Sequence, residues 1–174
     1  MRNIVLMLLL AIVLAVPASA QQLNLDFPGL AEKAEEVVDV TLDASMLKLA
    51  AKFLGGHDSE ERAVRDMLTG LQGIYVRSYE FAKDGEYDLA LVDRVKSQLG
   101  ATWKPLVTVR SKTKDNVNIM ADMRGEEVMG LVIISAEPRE FTVVNIVGKI
   151  DIDRLASLEG QFGIPKVTRE KDRD

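Results

Sequence analysis

Between Leu106 and Ile150 the chain reads as four apolar segments joined by three short turns, and no other stretch restricts the fold as much. The segments are Leu106 to Arg110, Val117 to Arg124, Glu127 to Ser135 and Phe141 to Ile150. The separators are Ser-Lys-Thr-Lys-Asp-Asn, Gly125-Glu126 and Ala136-Glu-Pro-Arg139, all of hairpin length and turn chemistry. Segments joined so closely pair as an antiparallel meander. Val117, Ile119, Ala121 and Met123 alternate with Asn118, Met120, Asp122 and Arg124, which predicts one packed face and one wetter face. Val128 to Ile134 is apolar on both faces and belongs near the centre of the sheet.

The first half mixes periods. Gln21 to Gly29 shows no regular pattern and leads into a short helix predicted around Leu30 to Glu36. Val38, Val40 and Leu42 then alternate with Asp39, Thr41 and Asp43, the period of a half-buried strand. Met46, Leu49, Ala50 and Phe53 recur at three and four, so Ser45 to Leu54 reads as an amphipathic helix stopped by Gly55-Gly56, its apolar stripe turned to the core. A second helix starts at Asp58-Ser59-Glu60-Glu61, with Val64, Met67, Leu68 and Leu71 as its stripe. Ile74 to Phe81 is a strand, Asp88 caps a helix from Leu89 to Leu99, and Asp151 caps a last helix carrying Ile152, Leu155, Ala156 and Leu158. The order β-α-α-β-α-β-β-β-β-α predicts an α+β domain: a mainly antiparallel sheet of about five to six strands with helices packed on one face.

The two ends read differently from this middle. Arg2, the apolar run Ile4 to Val16 and Pro17-Ala18-Ser19-Ala20 make a signal peptide with cleavage after Ala20, Ala18 and Ala20 being the small residues a peptidase accepts. The expected organisation is a signal at 1–20, one domain at 21–165 and a charged tail at 166–174. The mature protein is expected to be periplasmic or secreted, without a membrane span. There is no cysteine, which excludes disulfides, thiolate metal sites, a thiol nucleophile and a lipoprotein anchor. The net charge of −5, one unit more acidic once Arg2 is removed, offers no general attraction to nucleic acid or anionic lipid.

Candidate chemistry is sparse. His57, the single histidine, sits in Gly-Gly-His-Asp between two helices and reads as a loop residue; no Gly-x-Ser-x-Gly elbow exists to use it. Asp39 and Asp43, with Asp26 and Glu36, are an acidic group better explained as the outer face of a strand. Gly125, Gly130 and Gly148 form no phosphate loop and mark bulges or close packing. Met120, Met123 and Met129 read as core filler, and Trp103 as half-buried at a strand entrance. No metal ligands and no cofactor motif are predicted. Tyr75, Arg77, Tyr79 and Phe81 share one face of the second strand, and aromatics flanking an arginine suit a binding surface. The competing arrangement buries that face and pairs Arg77 with an acid at its rim.

The segment Phe141-Thr-Val-Val-Asn-Ile-Val-Gly-Lys-Ile-Asp-Ile-Asp-Arg-Leu155, with the hairpin before it and the early helix ending in glycine, resembles a family of exported bacterial proteins known only as a domain of unknown function. The resemblance implies an α+β domain in the Gram-negative envelope and brings no catalytic residues. The leading expectation is a non-enzymatic protein-binding module of the envelope. The alternatives are a ligand-binding protein or hydrolase with a site assembled from distant residues, and a homo-oligomer joined through sheet edges.

Overall fold

The period-two stretch after Glu35 is a strand, β1 (Glu36–Asp43), and it feeds directly into helix α1 (Ala44–Phe53). The computed structural model describes residues 22–53, 59–111 and 115–151. It continues with α2 (Ser59–Gly70), β2 (Leu71–Glu80), α3 (Ala90–Lys96), β3 (Trp103–Val109), β4 (Asn116–Arg124), β5 (Glu127–Ala136) and β6 (Glu140–Ile150). The helix expected after Asp151, the tail, His57 and the cleavage residues Ala18 and Ala20 lie outside the described residues.

The strands form one antiparallel sheet in the order β1-β2-β6-β5-β4-β3, so the α+β class and the meander hold. β5 and β6 take the two central places, as the doubly apolar Val128–Ile134 run requires. The glycines mark irregularities. The β2–β6 register slips between Leu71 and Gly73, where Gly148 has φ +123° and any Cβ on it would sit 2.7 Å from the Cα of Leu71. That approach explains why β2 begins at Leu71, before the Ile74 start that composition suggests.

The three described helices divide between the two faces, α3 on one and α1 with α2 on the other, where a single shared face was expected. On the first face, Tyr79, Phe141, Val143, Val132 and Ile134 pack with Val95 and Leu91 of α3, with Trp103, and with Leu23, Leu25, Phe27 and Leu30 from the N-terminal stretch. On the second, Leu47 of α1 and Leu68 of α2 pack with Leu71, Ala121, Val128, Leu131 and Ile150. This corrects the wetter face expected of β4: Asn118 and Asp122 are buried because the first face is covered. Residues 28–33 form turns, not a helix; Gly29 has φ +79°, and Leu30 is drawn into the core.

The stripe of α1 also differs from its expected role. Leu47 and Ala51 are its buried residues, whereas Met46, Leu49 and Phe53 face outward. Asp43 caps this helix, its Oδ1 accepting the N–H groups of Ser45 and Met46 at 2.8 and 2.9 Å.

Candidate functional site

The segment 22–27 lies across the first face of the sheet and builds one wall of a cleft. Leu23, Leu25 and Phe27 point inward at alternate positions, and Gln22, Asn24 and Asp26 stay exposed. Three devices hold it. The Leu23 N–H donates to Oδ1 of the fully buried Asn145 at 3.1 Å. The Gln98 amide clamps Asn24 from both sides, accepting its N–H at 2.8 Å and donating to its carbonyl at 3.0 Å. Phe27 sets its ring edge-on to Phe141 and Tyr79, with the Arg94 guanidinium 5.7 Å from its centre.

The opposite wall comes from β1 and β2. Thr41, Tyr75 and Arg77 line the cleft together with Gln22 to Asp26, enclosing about 230 Å³. Thr41 faces Tyr75, and Asp39 faces Arg77, in an unbroken β1–β2 register from Glu36↔Glu80 to Asp43↔Gly73. Arg77 pairs with Asp39 and also donates to the Val76 carbonyl. Tyr75 leans over Gly73, where a Cβ would lie 2.6 Å from its hydroxyl, so a side chain at 73 would displace the ring from the position it holds at the cleft.

The face of four residues predicted from sequence is thus split. Tyr75 and Arg77 remain half-buried at the cleft. Tyr79 and Phe81 are corrected: they are 4% and 1% exposed, core residues that no partner reaches in this structure. Tyr79 packs on Phe27, and Phe81 stacks on Tyr87 at 5.3 Å. Burial pushes the Tyr79 phenol up, partly offset by the Arg77 guanidinium. The rim pairing weighed for Arg77 is realised, with Asp39 as the acid. The alternation Leu-x-Leu-x-Phe at 23–27 is the signal that could have found the second wall.

Beside the cleft, β1 forms one edge of the sheet. Its residues are exposed or half-exposed throughout, Val37 and Val38 at 42% and 40%. Within 35–43 every charged residue is acidic: Glu35, Glu36, Asp39 and Asp43. An edge strand keeps a row of backbone donors and acceptors turned outward. Here that row is regular and free of proline, no other strand pairs with it among the described residues, and Thr41 of β1 reaches the neighbouring cleft.

A second hollow of about 340 Å³ lies at the end of the sheet distant from α1, lined by Glu80, Asp84, Glu137, Pro138, Arg139 and Glu140. Its groups are engaged in holding loops. Glu140 accepts from Ser78 and Thr142 at 2.9 and 2.7 Å, and Asp84 lies 3.7 Å from Arg139. Tyr87 donates to the carbonyls of Glu137 and Glu140; burial, reinforced by both carboxylates, pushes its phenol up to about 12. Burial, with Asp115 and Glu140 adding repulsion, also raises Glu137. Among the described residues no group of three or more histidines and acids is placed to hold a metal ion. No described helix is long and apolar enough to cross a membrane.

Compared with known families, residues 31–158 match the model of a domain of unknown function, DUF4252. The match takes in all six strands and stops short of the 22–27 wall. No curated protein and no solved structure matches the chain.

Proposed function

The chain belongs to the DUF4252 family, and we propose that it is an exported, non-enzymatic protein-binding module of the bacterial envelope. It takes an extended segment of its partner as an added strand on β1. The single observation that carries this reading is the β1 edge, unbroken and unpaired among the described residues, beside a cleft lined by Thr41, Tyr75 and Arg77. In strand addition the backbone ladder supplies affinity, and pockets beside the edge select alternate side chains. Asp39 is held by Arg77 and Asp43 caps α1, so Glu35 and Glu36 are the acids left to favour basic residues where a partner strand passes the start of β1. Export rests on the Arg2 to Ala20 signal pattern.

Site-specific photo-cross-linking in the native envelope tests this. A cross-linker replacing Val38 is expected to trap one stoichiometric partner, and one replacing Leu106 on β3 is expected to trap none. Equal trapping from both positions, or none from position 38, would overturn the reading.

A further inference from the structure

The apolar stripe of α1 has no cover among the described residues. Met46, Leu49, Ala50 and Phe53 recur at the i, i+3, i+4, i+7 spacing of one helix face. Met46, Leu49 and Phe53 are nevertheless 50%, 54% and 81% exposed. Lys48 and Lys52 are exposed on the same helix, form no ion pair among the described residues, and face no acid within α1. The net charge of the chain hides this local cationic, apolar surface. Charges are screened within about 8 Å at physiological salt, so the two lysines govern what α1 meets at contact.

We propose that α1 is a membrane-contact element that lies on an anionic bilayer surface. Met46, Leu49 and Phe53 enter the boundary between headgroups and acyl chains, and Lys48 and Lys52 face lipid phosphates. Two features favour lipid over protein. A stable protein interface takes about 20–30 residues a side, whereas α1 is a 10-residue helix that exposes three large apolar side chains. A bilayer sets no such threshold, because attraction accumulates with each apolar side chain inserted and each cation brought to the surface. β1 runs straight into α1, so a chain resting on α1 holds its binding edge close to the membrane.

Vesicle flotation tests the proposal, using the chain from Gln21 to Asp174 so that the apolar Ile4–Val16 run does not itself bind lipid. The vesicles are pure phosphatidylcholine or phosphatidylcholine with roughly one quarter phosphatidylglycerol. The chain is expected to float with the anionic vesicles only, and to be released by salt. Leu49→Ser/Phe53→Ser and Lys48→Glu/Lys52→Glu are each expected to cut the bound fraction at least about tenfold while melting like the parent, since the replaced residues are exposed. Val38→Lys is expected to float unchanged, which separates failure here from failure of strand addition. No flotation of the parent, equal flotation on neutral vesicles, or full flotation of either double variant would overturn the proposal. So would a dimer in light scattering that Phe53→Ser dissolves, because that assigns the face to a second copy.

Discussion

The two edges of the sheet are built differently. β3 carries Leu106, Val107 and Val109 at 52%, 43% and 47% exposure, so it is the more apolar edge. It is also the spoiled one: Pro105 lacks an N–H, the register slips between Pro105 and Val107, and Lys104 within the strand and Arg110 just past it add charge. β1 pairs with β2 without a slip along its whole length, has no proline and opens beside a cleft. Exposed apolar area alone would have pointed to β3. Backbone regularity points to β1, and a strand docks by its backbone first.

Substitutions at the cleft wall and at each edge separate the two designs. The largest effect is expected from Phe27→Ala, which empties the contact with Phe141 and Tyr79 and loosens the cleft wall. It should cost about 3–5 kcal/mol in denaturant unfolding. Asn145→Ala should cost about 1–3 kcal/mol, because the buried Leu23 N–H loses its acceptor. Faster amide exchange in residues 22–27 would show that this wall detaches first. Val38→Lys should leave stability within about 0.5 kcal/mol and weaken partner capture at least about tenfold. The matching Val107→Lys on β3 should change neither, and equal losses from the two would erase the distinction.

The smallest effect concerns pH and neither edge. Glu137 is raised in the fold by burial, so it binds its proton more tightly folded than unfolded. Its contribution is therefore present at low pH and lost as pH rises through its folded value. Glu137→Gln should flatten stability over the interval just above the ordinary glutamate range, read by melts across pH, with partner capture unaltered.

The meander, the order of the elements from β1 to β6 and the central position of Val128–Ile134 were legible because period-two patterning and short turns report pairing directly. The distribution of helices was not. Met46, Leu49 and Phe53 have the spacing of a core stripe, and periodicity cannot say which apolar side of a helix meets the sheet. The site was half legible. Tyr75 and Arg77 were singled out with Tyr79 and Phe81, but burial is decided by Phe27, remote in sequence from Tyr79, and by Tyr87, which returns onto Phe81 across the intervening turn. The 22–27 wall was missed although Leu23, Leu25 and Phe27 alternate, because so short a run carries little weight until a sheet lies beneath it.

The most direct test is residue-resolved amide hydrogen exchange with the captured partner segment bound and absent. The account predicts new protection along Glu36–Asp43 and unchanged exchange along Trp103–Val109. Protection that appears on β3, or binding that leaves β1 exchanging as in the free protein, would contradict it.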